Sequence, residues 1–441
     1  MKESKYSNYM QKGRSRSQPP SLDARDAIPE HAAMKALSLP LAFLTLFVAG
    51  PLLAVEPPAA TPPRFVQDTF GIGFWVAPQT DENLDARYAE IAAANFTFVI
   101  GLCGAGSPAP VATQLALCAK HGLKALIPAN DTPPDQLPDA PALWGYTLVD
   151  EPNTSQFPDL GRKVAALRQA RSGKLAYINL FPNYASAEQM GVPTYAEYVS
   201  RFVTQARPDV LSMDHYPIFR PDRDGRDGYC RNLEVMRRSA LEAGIPFWNF
   251  FNTMPYGPHT DPTEAQLRWQ IFTSLAHGAK GVMYFCYWTP RGDEFPKGGA
   301  ILTADGRRTR HYEEAKRINA GLKNLGPTQM QLTGLGVRRV SPKGTPSDAL
   351  AGSPIRTLSE GDYLIGVLRN TDGRRAVWLC NYDITYSAWP TVTFDAEPGQ
   401  VLEVSPKTGR AERVIDDSPD LPGLQISLDA GEGRLFLLPA K

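Results

Sequence analysis

Between residues 70 and 325 the chain alternates short apolar runs with amphipathic stretches of helical period. Short apolar runs bounded by polar or turn residues are typical of buried strands, and apolar positions at helical spacing are typical of helices packed on a sheet. The sequence predicts strands at 70–76, 96–102, 123–129, 143–149, 175–181, 210–216, 246–253 and 281–288. Helical patterns lie between them, for example at 85–95, 195–206 and 263–276, and a last one covers 312–325.

This alternation predicts parallel strands joined by helical crossovers. Eight such units in about 260 residues have the size of a (β/α)8 TIM barrel, which we assign to residues 67–328. An open doubly wound sheet is the alternative, but it usually carries a glycine-rich phosphate loop after its first strand, and the sequence has none there. We therefore predict an α/β fold built on a TIM barrel.

The helical period disappears after residue 325, and short alternating runs such as DYLIGVL, RRAVWLCNY and GRLFLLP follow. Turn dipeptides such as Asp372-Gly373 and Thr408-Gly409 separate these runs. Alternating apolar and polar residues between tight turns are typical of antiparallel sheets. Residues 329–441 are therefore predicted to form a C-terminal antiparallel β-sandwich.

The N-terminal part of the chain has a different composition. Residues 34–55 contain a lysine, an apolar run and a small residue at which a signal peptidase can cut. The polar extension before them, residues 1–33, is longer than the usual start of a signal peptide, so we expect translation to begin at Met34. A signal anchor is the alternative, and a buried N-terminal helix is a third interpretation. The first two predict export of the chain that follows, which begins with a Pro/Ala linker at 56–66.

Composition narrows the class of ligand. Lysine plus arginine and aspartate plus glutamate number 46 each, so the formal net charge is zero. Such a chain has no long-range positive field to hold nucleic acid or an anionic membrane surface. The five cysteines lack a CxxC pair and a histidine-rich neighbourhood, so the sequence implies no metal site and no cofactor. A neutral ligand fits this balance, and membrane contact is expected only through the N-terminal anchor.

The stretch GYTLVDEPN at 145–153 places two carboxylates directly after a near-continuous apolar run. A buried strand can carry such a run, but ionised side chains need partners or water, so Asp150 and Glu151 are predicted at the C-terminal mouth of the fourth strand. Active sites of TIM barrels gather at this end of the strands. Because side chains alternate along a strand, the two acids are expected to point in different directions.

Other strand ends bring aromatic, amide and acidic side chains to the same mouth. Sugars present apolar C–H faces that stack on aromatic rings, and hydroxyl groups that pair with amides and carboxylates. The mouth therefore predicts an oligosaccharide or polysaccharide as the ligand. The candidate substrate-binding residues are Trp75, Asn130, Asn179, Asn183, His215, Tyr216, Asn252 and Trp288, and the candidate catalytic residues are Glu151, Asp214 and Asp150.

The run GYTLVDEPN resembles the acid/base segment of clan A glycoside hydrolases, in which the fourth strand commonly ends in Asn-Glu-Pro. The sixth-strand run SMDHYPI is similar to a strand end of the same enzymes, and RWQIFTSLAHGAKGVMYFCYWTP resembles the last units of family-42-like β-galactosidases. The resemblance implies that Glu151 donates a proton to the leaving glycosidic oxygen. Asp150 then takes the place of the usual asparagine, and its like charge is expected to raise the pKa of Glu151.

The seventh strand departs from this pattern. Clan A enzymes carry their nucleophilic glutamate there, whereas FWNFFNTMP offers only Asn249 and Asn252. An amide cannot form the glycosyl ester that a retaining mechanism requires. The usual scheme with two glutamates is therefore not expected in this chain.

Three hypotheses follow from that departure. The first is an inverting hydrolase with Glu151 as the acid and either Asp214 or a loop acid, Asp293 or Glu294, as the base. In the second, Asp150 and Asp214 act as nucleophile and acid/base, as paired aspartates do in α-galactosidase-like barrels. The third is a barrel that binds glycans without cutting them, because fold alone does not establish activity. We rank the inverting hydrolase first.

Overall fold

A computed structural model describes residues 62–80, 82–104, 109–220, 223–292, 295, 298–342 and 349–440. The predicted polar extension, the signal or anchor segment and part of the linker lie outside the described residues. From residue 62 onward the chain forms one compact unit. Among the helices of the described part, none has the length and apolar character needed to cross a bilayer.

Eight parallel strands form the central sheet. They are β1 Gly71–Phe74, β2 Phe98–Ile100, β3 Lys124–Pro128, β4 Leu143–Asp150, β5 Leu175–Leu180, β6 Leu211–Asp214, β7 Phe247–Asn252 and β8 Gly281–Phe285. Their order in the sheet is β1-β8-β7-β6-β5-β4-β3-β2. The two end strands, β1 and β2, are also linked. The amide of Thr97, which precedes β2, donates a hydrogen bond of 2.8 Å to the carbonyl of Ile72 in β1. The predicted barrel is confirmed, and every strand lies within its predicted range except β4, which extends one residue further, to Asp150.

Helices surround this barrel in the order that the alternation predicts. They are α1 Leu84–Ala93, α2 Val111–Lys120, α3 Phe157–Ala170, α4 Ala187–Met190, α5 Tyr195–Ala206, α6 Arg226–Ala243, α7 Glu264–Ala276 and α8 Arg310–Met330. The connection from β3 to β4 differs, because it contains only a single 3-10 turn, Pro134–Gln136. Four prolines between residues 133 and 141 remove backbone donors and prevent an α-helix there.

Large aromatic rings fill the interior of the barrel below the mouth. The Trp248 ring lies 5.4 Å from the Phe98 ring and 5.9 Å from the Trp144 ring. Small residues on the neighbouring strands make room for them. A Cβ atom at Gly73 would lie 2.3 Å from Phe98, and one at Gly281 would lie 2.7 Å from Trp248. The barrel therefore has an aromatic floor below its mouth.

The C-terminal region forms two antiparallel sheets. Its strands are β9 Leu332–Val340, β10 Ile355–Leu358, β11 Tyr363–Asn370, β12 Arg375–Asn381, β13 Thr391–Phe394, β14 Leu402–Val404, β15 Ala411–Arg413, β16 Leu424–Gln425 and β17 Gly433–Leu438. One sheet has the order β15-β14-β17-β12-β11-β9, and the other has the order β10-β13-β16. A separate apolar core lies between them. This agrees with the predicted sandwich, although α8 extends two residues past the predicted boundary at 328.

Helix α7 lies between the barrel and the C-terminal sheets. Nine of its 13 residues are buried, which is expected of a helix covered on two sides. Its Phe272 ring lies 5.7 Å from the Trp378 ring of β12. The indole N–H of Trp378 in turn donates a hydrogen bond of 3.0 Å to Gln329 of α8. The two regions therefore share one continuous core.

Candidate active site

Strand β4 delivers its first acid to the barrel interior through an irregularity in pairing. In the register with β5, Thr147 is opposite Tyr177 and Asp150 is opposite Asn179, and the pairing shifts between Thr147 and Val149. A bulge of this kind inserts one extra residue and changes the face on which later side chains lie. It places Asp150 on the same face as its partner Asn179, whose side chain contacts it directly.

The second acid follows at a residue with unusual backbone geometry. Glu151 has a φ of 47°, in the left-handed region that few residues other than glycine adopt. Its amide still donates a hydrogen bond of 2.9 Å to the Asn179 carbonyl. Because the chain leaves extended geometry here, the strict alternation expected from the sequence does not hold. The charge of Asp150 acts on the Glu151 carboxyl group and contributes to its raised pKa.

One amide group joins two of the acids. The side-chain nitrogen of Asn179 donates hydrogen bonds of 3.2 Å to Asp150 and 2.9 Å to Asp214. Asn179 and Asp214 are 4% and 8% exposed, whereas Asp150 and Glu151 are half-buried. The structure thus brings Asp150, Glu151 and Asp214 together at the ends of β4 and β6.

Burial and mutual repulsion change the protonation of this cluster. Burial raises the pKa of Asp150 to about 6, against the opposing effect of the hydrogen bond from Asn179. Burial, and then the charge of Asp150, raise the pKa of Asp214 to about 7. Burial, and then the charges of Asp214 and Asp150, raise the pKa of Glu151 well above its usual range. Near neutral pH the cluster therefore holds at least one proton beside ionised carboxylates, as acid/base chemistry requires.

His215 forms part of the wall beside Asp214. Its Nδ1 atom lies 3.0 Å from the side-chain oxygen of Asn232, and its ring is 2% exposed. Burial lowers the pKa of His215 to about 4, so the ring is neutral at physiological pH. Among the described residues, no group of three metal-ligating side chains is close enough to hold an ion.

A tyrosine that the sequence did not single out lies at the rim of the mouth. Tyr184 is 53% exposed, and its ring lies edge-on to His215 with 4.9 Å between ring centres. Burial, and then the charges of Asp214 and Glu151, raise the pKa of its hydroxyl group well above the usual range. Tyr184 therefore combines an accessible ring with a position next to the acids. The neighbouring Asn183 donates its amide to the Gly228 carbonyl at 3.1 Å.

Two predicted aromatic residues lie at the ends of β1 and β6. Trp75, which is half-buried, lies edge-on to Phe250 of β7 at 5.7 Å. Tyr216, which is 9% exposed, contacts Tyr256 and Phe285 at ring distances of 5.6 Å and 5.2 Å. Tyr216 also lies beside Asp214, and a hydrogen bond from its side chain lowers the pKa of that carboxyl group. Aromatic rings at these strand ends suit the C–H face of a sugar.

Other predicted binding residues have different surroundings. Trp288 is 4% exposed and lies beneath the Arg87 guanidinium, 5.3 Å from the ring centre. Asn130 is exposed at the end of β3, in left-handed geometry with a φ of 49°. Asn252 is fully buried, and its oxygen accepts a hydrogen bond of 3.4 Å from the Ile218 amide. Asn179 is hydrogen-bonded to Asp150 and Asp214. Trp288, Asn130 and Asn252 take no part in these hydrogen bonds.

Strand β7 carries no carboxylate, as the sequence already shows. Asn249 points towards the helices, where its amide donates to Tyr229 at 2.6 Å and to Ser274 at 3.1 Å. The side-chain nitrogen of Asn252 is buried without a hydrogen-bond partner among the described residues. The loop acids Asp293 and Glu294 lie outside the described residues.

Comparisons with known proteins agree with this architecture. Residues 183–325 match the model of glycoside hydrolase family 42, described as β-galactosidase. No curated protein matches the sequence. The family 42 β-galactosidase from G. stearothermophilus, solved as a catalytic mutant, is 9% identical, and the match covers 84% of this chain and 98% of that chain with a TM-score of 0.57. The chain has a glycoside hydrolase fold.

Two further β-galactosidase structures are similar. For the enzyme from Bacillus circulans sp. alkalophilus, the identity is 11%, the match covers 86% of this chain and 99% of that chain, and the TM-score is 0.51. For the enzyme from Marinomonas ef1, the identity is 12% and the TM-score is 0.43. There the match covers 58% of this chain and spans only 60% of that protein's length. The clan A resemblance seen in the sequence is confirmed at the level of the fold.

Proposed function

We propose that this protein is an exported glycoside hydrolase that cleaves O-glycosidic bonds of a neutral oligosaccharide or polysaccharide. The observation that carries the proposal is the cluster of Asp150, Glu151 and Asp214 in one barrel mouth, with the pKa of each carboxyl group raised. Structural ion pairs do not explain the cluster, because none of the three acids forms a salt bridge within the described part of the chain. The aromatic rings of Trp75 and Tyr216 at two of the strand ends support a sugar as the ligand.

In the proposed reaction Glu151 is the general acid. Its raised pKa favours the protonated carboxyl group, which can then protonate the oxygen of the leaving group. Asp214, with a pKa of about 7, is partly ionised at the same pH and accepts a proton from the water that attacks the anomeric carbon. This sequence of steps inverts the anomeric configuration and requires about 6.5–9.5 Å between the two carboxyl groups.

A second assignment of roles has its own support. The oxygens of Asp150 and Asp214 bond to the same Asn179 nitrogen at 3.2 Å and 2.9 Å, so they are separated by about 6 Å at most. Retaining glycosidases hold their carboxyl pair about 5–5.5 Å apart. In that alternative Asp150 is the nucleophile and Asp214 is the acid/base, and the product retains its configuration. The stereochemistry of the first product distinguishes the two schemes.

A different class of function, glycan binding without cleavage, is supported by the amides of β7. Asn249 and Asn252 replace the carboxylate that the clan A resemblance leads one to expect on this strand. Such a barrel would use the rings of Trp75 and Tyr216, together with the acids, as a binding surface. The catalytic hypothesis ranks first because burying three acids together is costly unless their protonation is used.

The decisive experiment measures hydrolysis of a panel of aryl glycosides and natural oligosaccharides. Aryl β-galactosides come first, because the matched family is described as β-galactosidase. We expect the wild type to release sugar, and Glu151→Gln to lose about 10²–10⁴-fold in kcat while still binding oligosaccharide by calorimetry. Binding without release from any substrate by the wild type would favour the non-catalytic barrel. Proton NMR of the first anomer formed then assigns inversion or retention.

Export is supported by the apolar segment at 34–55. Fractionation of cells that produce the full chain with a C-terminal tag should recover the protein outside the cytoplasm. N-terminal sequencing of that protein distinguishes a cleaved signal peptide from a retained anchor. Recovery in the cytoplasm alone would contradict export and leave the assignment of the acids unaffected.

A further inference from the structure

We propose that Asn179 is a positioning residue that clamps Asp150 and Asp214, and that Ser212 and Tyr177 fix the orientation of its amide. The role of the clamped acids in catalysis rests on the proposed function. The clamp itself rests on hydrogen bonds within the barrel. The sequence predicts Asn179 as a substrate-binding residue and does not single out Ser212 or Tyr177.

Both hydrogens of the Asn179 amide are used by the acids. The nitrogen bonds to one oxygen of Asp150 at 3.2 Å and to one oxygen of Asp214 at 2.9 Å. A primary amide has two N–H donors, so none is left for a sugar hydroxyl. Asn179 therefore acts on the reaction through the two carboxyl groups.

The opposite end of the amide is held by a chain of hydroxyl groups. The Ser212 hydroxyl donates to the Asn179 side-chain oxygen at 3.0 Å. The Tyr177 hydroxyl lies 2.8 Å from the Ser212 oxygen. A hydroxyl carries a single proton, so when Ser212 donates to Asn179, Tyr177 must donate to Ser212. The direction of the chain is thus fixed from Tyr177 to the acids.

This direction prevents the amide from turning over. A reversed Asn179 would place its oxygen against two carboxylates and its nitrogen against Ser212. Three acceptors would then face one another without a proton whenever the acids are ionised, and a buried acceptor without a donor is costly. Asn179, Ser212 and Tyr177 are 4%, 0% and 2% exposed, so water has little access to repair the loss.

The barrel register puts these groups in line. Tyr177 and Asn179 are two residues apart on β5, Ser212 and Asp214 are two residues apart on β6, and side chains with this spacing share a face. Asn179 pairs with Ser212 across the two strands. The Tyr177 ring is itself held by Trp248 of the aromatic floor, with 5.9 Å between ring centres. The clamp therefore connects the rigid floor of the barrel to the acids at its mouth.

Donors that face a carboxylate favour its ionised form, so the clamp opposes the effect of burial on both acids. The Tyr216 side chain also hydrogen-bonds to Asp214 and acts in the same direction, whereas the charge of Asp150 favours the protonated form of Asp214. Glu151 is the third acid of the cluster, and both aspartates raise its pKa. Without the clamp, Asp150 and Asp214 would each keep a proton to higher pH. A residue with a purely structural role would change stability and leave the titration of the acids unaltered. The titration is therefore the readout that identifies a clamp.

The test compares Ser212→Ala, Ser212→Thr and Tyr177→Phe with wild type. Tyr146→Phe is the matched control, because it also removes a tyrosine hydroxyl that hydrogen-bonds inside the protein, here to the Pro138 carbonyl. The first readout is NMR titration of ¹³C-labelled aspartate carboxyl groups, assigned with Asp150→Asn and Asp214→Asn. The second is the pH profile of kcat/KM.

We expect Ser212→Ala and Tyr177→Phe to raise the apparent pKa values of the Asp150–Asp214 pair by about one unit. The reason is that an amide no longer held by the hydroxyl chain can turn its oxygen towards the acids, which then lose the equivalent of one charged hydrogen bond. Ser212→Thr keeps the hydroxyl and should titrate like wild type, as should Tyr146→Phe. The acid limb of kcat/KM should move upward by the same amount. Unchanged titration in both Ser212→Ala and Tyr177→Phe would overturn the clamp.

The carboxyl titration needs no substrate, so its result is independent of the proposed glycosidase activity. A protein without activity but with shifted titration would support the clamp and reject the enzyme. An active protein with unshifted titration would support the enzyme and reject the clamp. Tyr177→Phe removes one oxygen and keeps the ring on Trp248, so it provides a folded variant even if Ser212→Ala does not fold.

Discussion

Replacing Asp150 by asparagine should change the working pH of the site in a predictable direction. The substitution removes one charge and keeps an oxygen that accepts the hydrogen bond from Asn179. The Asp150 and Asp214 oxygens are held by bonds of 3.2 Å and 2.9 Å to one nitrogen, about 5–6 Å apart. At an effective dielectric constant of about 20, two unit charges at that separation repel by about 3 kcal/mol, equivalent to about 2 pKa units. The pKa of Asp214 should therefore fall from about 7 towards about 5.

The assay is the pH dependence of kcat/KM for Asp150→Asn, with Asp159→Asn on the surface of α3 as the control. If Asp214 is the base, the acid limb moves about 2 units to lower pH, because Asp214 must be ionised to act. The alkaline limb, which reports loss of the Glu151 proton, moves in the same direction. An active variant with both limbs in place would refute the electrostatic reasoning. Complete loss of activity would instead identify Asp150 as the nucleophile of a retaining mechanism.

Three further predictions address binding, packing and pH-dependent stability. Tyr184→Ala should raise KM about tenfold, because an exposed ring beside the acids is lost, and Tyr184→Phe should largely preserve it, as steady-state kinetics can check. Trp248→Ala should lower the free energy of unfolding by about 3–5 kcal/mol in urea titrations, because it empties the aromatic floor. Asp150 and Asp214 bind protons more tightly in the folded state, so their contribution to stability should fall as pH rises from about 4 to about 7. Asp214→Asn should therefore gain stability over wild type at pH 8 and lose that advantage at pH 4, measured by urea unfolding.

Much of the barrel follows from the sequence because buried parallel strands leave a direct signal. Apolar runs such as the one at 281–288 are continuous since helices cover one face of the sheet and the interior packs the other. The C-terminal sheets are visible for a different reason, namely the turn at Asp372-Gly373, where Gly373 has a φ of 87°. The prolines between residues 133 and 141 also explain why no α-helix connects β3 to β4.

The details of the site depend on contacts that no local pattern encodes. The bulge in β4 exists only relative to the register of β5, so alternation alone could not place Asp150 beside Asn179. Trp288 occupies a strand end like Trp75, yet Arg87 of α1 covers it. Ser212 could have been noticed, because it lies two residues before Asp214 and must share its face. Its role nevertheless depends on the pairing of β5 with β6.

The shared core around α7 limits how this chain can be divided. Trp378 is fully buried and belongs to the same apolar cluster as the barrel helices. Gly366 of β11 is close enough to α7 that an added Cβ would lie 2.4 Å from the Ala276 carbonyl oxygen. A recombinant fragment that stops after Met330 would uncover this helix and expose its phenylalanine side to water. Expression of the barrel without the C-terminal sheets should therefore give insoluble protein, and cloning boundaries for either half alone are best avoided.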